Sequence, residues 1–185
     1  MAASAAEAFH IADALHRLWP ADLVAALRER ISDFDDRTRQ LTIPERARAK
    51  IPCAMLGSDG ACTVYPFRPL LCRAWHSRNV ETCKRACEQA ADVLVPMTEY
   101  RDTASSTWAG LCIGLKDQGL DGRPVKLMTA VRAALEDPDL YRRWCHGGRL
   151  PEELVNQEAD TRSFSHDPGT LADSRLWLEC SSRAA

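Results

Sequence analysis

The sequence predicts a mostly α-helical fold, a helical bundle built around an irregular cysteine-rich metal-binding loop. Apolar residues recur at helical spacing on both sides of residues 51–78, where the pattern stops and prolines and glycines accumulate. Five of the eight cysteines lie within residues 53–87. A long irregular stretch is uncommon in a compact domain unless something organises it, and here a metal is the obvious candidate.

Composition narrows the class of protein. The chain has 185 residues, enough for one domain, and a formal net charge of −2 with acidic and basic residues intermixed. It therefore favours neither nucleic acid nor an anionic membrane as a partner. No apolar run approaches the roughly 20 residues of a membrane span, and residues 1–19 lack the basic region of a signal peptide. We expect a cytoplasmic protein, in which clustered cysteines are typically metal ligands or redox groups rather than disulfides.

Residues 1–50 are predicted to form the N-terminal helices. A first apolar stripe covers residues 8–18, and a second covers residues 20–31. Pro20 suits the first turn of this second helix, where its missing N–H costs nothing. A short third helix is predicted over residues 44–50.

The distribution of cysteines and apolar residues divides the rest of the chain into three parts. Residues 51–88 are predicted to be the cysteine-cluster metal-binding segment, and residues 89–158 the C-terminal helices of the same domain. Helical pattern resumes over residues 78–94, and Pro124 is expected to open a later helix. Residues 159–185 are polar and aperiodic, which predicts a weakly ordered tail.

The clustered cysteines have the spacing Cys53-x8-Cys62-x9-Cys72-x10-Cys83-x3-Cys87. Thiolates are soft ligands, and four of them suit tetrahedral zinc or an iron–sulfur cluster. Zinc knuckles pair cysteines two to four residues apart, and here Cys83 and Cys87 alone are that close. The wider spacing of the others slightly favours a cluster over zinc. The first-choice ligands are Cys53, Cys62, Cys72 and Cys83, with Cys87 as the substitute for any of them.

The remaining candidates have weaker signals. His76 lies between two of the clustered cysteines and would complete a Cys3His zinc set, although a lone histidine is more often a supporting donor or simply exposed. Cys112, Cys145 and Cys180 are interpreted as bystanders, since cysteine is also a small hydrophobic residue.

Other residues of the segment have physical interpretations. Gly60 is expected to adopt a backbone conformation that other residues resist. Arg68 and Arg73 are interpreted either as groups that neutralise thiolate charge or as two surface arginines. Tyr65 and Trp75 are interpreted as shielding the site from water or as plain core residues.

The segment IPCAMLGSDGACTVYPFRPLLCRAW resembles the core of bacterial cysteine-cluster proteins described as carrying a zinc- or iron-chelating domain, the CxxCxxCC family. That core reads roughly C-P-x-L, a short turn, then G-x-C-x-[IV]-Y-x-x-R-P-x-x-C-R. The matching residues here are Cys53, Leu56, Gly60, Cys62, Val64, Tyr65, Arg68, Pro69, Cys72 and Arg73, and Cys83 after WHSRNVETC matches a further cysteine of one branch. The resemblance covers about residues 5–150 and implies metal chelation, with no settled reaction.

Two departures from the family pattern are visible. Ala54 stands where the family has proline. The family is named for a C-x-x-C-x-x-C-C-like group upstream of its core, and no cysteine precedes Cys53 in this sequence. We expect either that the chain begins downstream of that group or that the group has been lost, which would leave part of the family's site.

Three function classes follow. The first is a metal-binding cysteine-cluster protein that is non-catalytic or of unknown reaction. The second is a cluster-dependent redox or group-transfer enzyme, since some relatives in the resembled family look like flagellin lysine methylases. The third is a thiol-redox sensor in which Cys83 and Cys87 cycle through a disulfide. The sequence contains no phosphate loop, dinucleotide fingerprint or nucleophile elbow, so no catalytic residue and no protein partner are assigned.

Overall fold

A computed structural model of the chain describes residues 1–89 and 95–159. The described residues are mostly helical, which confirms the predicted fold class. None of the helices in these two ranges is long and apolar enough to cross a membrane. The predicted tail lies outside the described residues except for Ala159.

Helices follow one another along the described residues. The helices are α1 (Ala5–Leu18), α2 (Ala21–Thr38), α3 (Ile43–Ala49), α4 (Leu70–Ala74), α5 (Val80–Gln89), α6 (Tyr100–Asp117), α7 (Leu127–Glu136) and α8 (Asp139–Cys145). Two short strands, β1 (Ala2–Ala3) and β2 (Val125–Lys126), pair antiparallel, and single 3-10 turns cover Tyr65–Phe67 and Glu152–Leu154.

Helix α1 begins with a capping box. The Ser4 hydroxyl accepts the Glu7 N–H at 3.3 Å, and the Glu7 carboxylate accepts the Ser4 N–H at 2.8 Å. These bonds satisfy amide groups that have no partner within the first turn of a helix. The predicted stripe then faces inward, with Ala8, Ile11 and Leu15 buried.

The main core lies where α1 and α2 pack against α7. Leu27 and Ile31 of α2 and Val131 of α7 are fully buried at this contact. The helical stripes predicted for these segments are confirmed at their centres, but the prediction was wrong at Leu18, Leu23 and Ala26, which are exposed. The start of α2 differs by one residue, because Pro20 is the N-cap and lies just outside the helix.

The sequence prediction was wrong at Pro124, which does not open a helix. Val125 and Lys126 form β2, and α7 begins only at Leu127. The Pro124 carbonyl accepts the Asn156 N–H at 2.8 Å, and Val125 is fully buried beside Ala3 of β1. The extended conformation of residues 124–126 is therefore stabilised by hydrogen-bond partners that are distant in the sequence.

A buried carboxylate joins the chain after α6 to the chain after α8. The Asp121 side chain is 7 % exposed, accepts the Leu150 N–H at 2.9 Å and pairs with the Arg123 guanidinium at 2.7 Å. Arg123 also pairs with Glu152 at 2.6 Å. Burial opposes ionisation of Asp121, but the hydrogen bonds from Arg123 and Leu150 outweigh it, and its pKa falls below the ordinary value of 3.8.

We expect Asp121→Asn to lower the free energy of unfolding at pH 7 by about 1–3 kcal/mol, because buried donors lose a charged acceptor. A carboxyl whose pKa is lower in the folded state stabilises the fold above its unfolded pKa, and this contribution disappears as the pH falls through the folded value. Urea unfolding below pH 4 should therefore show a weaker pH dependence in the variant. The exposed Asp117→Asn is the control, and equal pH profiles for the two variants would contradict the assignment.

Glycine substitutions test the close approach of the chain to α6. A Cβ at Gly122 would lie 2.2 Å from the Cys112 carbonyl oxygen, whereas a Cβ at Gly110 would meet no atom within 4 Å. We expect Gly122→Ala to lower the free energy of unfolding by about 1–3 kcal/mol, because the backbone at Gly122 or at Cys112 must move to make room for the added Cβ. Gly110→Ala should stabilise it by about 0.5–1 kcal/mol, because alanine favours the interior of a helix. Thermal unfolding of the pair would contradict this packing if both variants shifted in the same direction.

Candidate metal centre

The first half of the cysteine segment is a tight reversal of the chain. Leu56 and Cys62 form an antiparallel bridge, and the Gly57 N–H donates to the Ala61 carbonyl at 2.8 Å. Gly60 lies between them with a φ of 76°, in the left-handed region that favours glycine. The expected role of Gly60 is confirmed, because its left-handed backbone lets the chain reverse between Leu56 and Cys62.

This reversal is anchored in the main core by apolar side chains. Met55 is 1 % exposed and Val64 is 3 % exposed, and both belong to the core formed by α1, α2 and α7. Cys53, Cys62 and Cys72 are half-buried and pack against the same core. Three of the predicted ligands therefore pack against the same hydrophobic core.

The second half of the segment contains a helix that the sequence did not predict. Pro69 is the N-cap of α4, and Cys72 lies in this five-residue helix. The Leu70 N–H donates to the Glu7 carboxylate of α1 at 2.7 Å, so a distant residue satisfies an amide group in the first turn of α4. A helix of five residues is too short to show a periodic pattern in the sequence. Because it is present, residues 51–78 are less irregular than predicted.

The two arginines of the segment bind its own backbone. Arg68 donates to the Cys72 carbonyl oxygen and lies over the Tyr65 ring at 5.0 Å. Arg73 donates to the Arg68 carbonyl at 2.8 Å and to the Pro66 carbonyl at 2.6 Å. Both arginines are half-buried. Their guanidinium groups fix the backbone that precedes and carries Cys72, while a role in neutralising thiolates stays a prediction.

The other two predicted ligands belong to α5. Cys83 is half-buried, and burial raises the pKa of its thiol. The side chain of Cys87 lies outside the described part of the structure. Among the side chains that are described, no three from histidine, cysteine, aspartate and glutamate are arranged to hold a metal ion. The ligand set of Cys53, Cys62, Cys72, Cys83 and Cys87 stays a prediction.

The weaker candidates occupy different surroundings. His76 is exposed, and its ring lies 6.4 Å from that of Tyr100. Cys112 is 2 % exposed in a second core cluster with Trp108, as expected for a buried bystander. Cys145 is exposed at the end of α8, so it does not serve as a small hydrophobic residue of the core. Cys180 lies outside the described residues.

Sequence reasoning missed the contribution of Ser4 and Glu7. The stretch Ser4-Ala-Ala-Glu7 matches the capping-box pattern, which would have predicted the start of α1. The second role of Glu7, its bond to the Leu70 N–H, has no local signal because the two residues are far apart in the sequence.

Comparison of the chain with protein-family models, with curated proteins and with solved structures finds no match.

Thiol labelling tests the assigned environments. Burial, with a smaller effect of the Glu7 carboxylate, raises the pKa of Cys112 to about 12. At pH 8 about one Cys112 thiol in ten thousand is ionised, and the thiolate is the form that reacts with iodoacetamide. We expect mass spectrometry to find Cys145 alkylated in the folded chain and Cys112 protected until denaturant is added. Equal rates at the two cysteines in the folded chain would contradict the burial of Cys112.

Proposed function

We propose that the chain is a metal-binding cysteine-cluster protein that holds an iron–sulfur cluster or zinc. The ligands would be the thiolates of Cys53, Cys62, Cys72 and Cys83, with Cys87 able to replace one of them. The observation that carries the proposal is the packing of Cys53, Cys62 and Cys72, from successive bends of one segment, against one hydrophobic core.

The donor chemistry of these residues fits such a group. Thiolates are the ligands that zinc and iron–sulfur clusters share, and half-buried thiols limit the access of water to them. The segment is also held in place before any metal binds, because Met55 and Val64 anchor one half and arginine–carbonyl bonds brace the other. When bound, the metal would cross-link these bends, and its binding free energy would add to the stability of the fold.

The arginines favour this site over an inert cysteine-rich loop. Arg68 and Arg73 keep two positive charges within the same segment as Cys72. Four thiolates around one Zn²⁺ leave a net charge of −2, which nearby guanidinium groups would partly offset. Their hydrogen bonds also leave little freedom in the backbone that carries Cys72.

The resemblance to the chelating family adds to the proposal, and the spacing slightly favours a cluster over zinc. We assign the protein to a reducing, cytoplasmic compartment, in which thiols remain available as ligands. No reaction is part of the proposal.

Metal analysis and the visible spectrum of anaerobically purified protein test the proposal. We expect about one zinc ion or one cluster per chain, a cluster giving absorbance near 400 nm. Cys72→Ser should lose the metal and lower the melting temperature by about 5–10 °C, because the metal's contribution to folding is lost. Cys145→Ser, which changes an exposed thiol on α8, should keep both.

A folded wild-type chain without zinc, iron or absorbance near 400 nm would contradict the proposal. Reversible release of zinc on oxidation, with the fold retained, would instead support the thiol-sensor hypothesis.

A further inference from the structure

Helix α5 lies between two residues of the chain that pair with each other. Ser77 before the helix and Met97 after it form an antiparallel bridge, which we call the base of α5. Next to the bridge, the Arg78 N–H donates to the Pro96 carbonyl at 2.8 Å. The base is therefore fixed independently of how α5 itself lies against the body of the protein.

The described side chains of α5 bury little surface. Ala86 alone among them is buried, Cys83 and Thr82 are half-buried, and the rest are exposed, including Val80 at 63 %. Residues three apart share one face of a helix, so Cys83 lies on the same face as Ala86. This is the face of α5 that turns towards the body.

The far end of α5 lies beside the start of the cysteine segment. The Lys50 ammonium group donates to the Glu88 carbonyl at 2.8 Å, and Lys50 comes three residues before Cys53. The half-buried thiol of Cys83 is thus carried by a helix whose far end is bonded to the chain just before Cys53.

We propose that metal binding controls the docking of α5, with the Cys83 thiolate as the link between this helix and residues 53–72, which hold the other three first-choice ligands. The inference rests on the proposed function. A metal–thiolate bond would fasten a helix that otherwise has one buried side chain among those described, and metal-binding free energy becomes local folding free energy. Loss of the metal would release α5 from the body while the Ser77–Met97 base stays closed.

Limited trypsin digestion of the full chain tests this coupling. Lys84 and Arg85 are exposed cleavage sites within α5, and Arg142 and Arg143 are exposed sites within α8 that serve as internal controls. The chain is digested under anaerobic, reducing conditions as purified with its metal and after stripping with EDTA, and the metal content of each sample is measured. We expect stripping to speed cleavage after Lys84 and Arg85 at least about tenfold and to leave cleavage in α8 unchanged.

Three variants identify the link. Cys83→Ser should be cleaved in α5 at the rate of the stripped wild-type chain, with or without EDTA, whereas Cys87→Ser in the same helix should keep the wild-type rates, because the link is assigned to Cys83. Cys145→Ser, the matched control on α8, should behave as wild type. A Cys83→Ser chain that keeps wild-type protection in α5 would overturn the role of Cys83.

The remaining outcomes separate this inference from the proposed function. A chain that contains metal but is cut in α5 equally fast before and after stripping overturns the coupling and leaves the proposed function standing. A chain purified without metal overturns the proposed function, and the coupling with it. Equal acceleration in α5 and α8 would mean that the whole fold opens, which overturns local release.

Discussion

The Glu7 carboxylate joins the helical body to the segment that carries the cysteines. One of its oxygens accepts the Ser4 N–H and hydroxyl at 2.8 Å each, and the other accepts the Leu70 N–H at 2.7 Å. The carboxylate thus accepts amide N–H groups at the N-termini of both α1 and α4, which have no partner within the helices themselves. The position of Cys72 relative to the core therefore depends on a group that belongs to the first helix.

The cysteine segment is held by three kinds of contact that do not require a metal. Met55 and Val64 anchor it in the core, Gly60 allows its tight turn, and arginine side chains bind its carbonyl oxygens. A site prepared in this way loses less conformational freedom when a ligand binds, which favours affinity. Helix α5 differs because its described side chains contribute little burial, so the proposed metal bond has most effect there.

The sequence predicts α1, α2 and α7 because each is long enough for its apolar stripe to repeat. It does not predict α4, β1 or β2, which are two to five residues long and depend on distant partners such as Glu7 for α4 and Ala3 for β2. Cysteine spacing identifies the candidate ligands from local information. That Arg68 and Arg73 bind backbone carbonyls follows from the fold of the turn, which the spacing does not encode.

X-ray absorption at the zinc or iron edge of anaerobically purified protein examines the thiolate assignment without any variant. Cysteine ligation predicts a first shell of about four sulfur atoms, at about 2.3 Å for zinc. A first shell made only of oxygen and nitrogen atoms, or a folded chain with neither metal, would contradict the account of this segment as a metal centre.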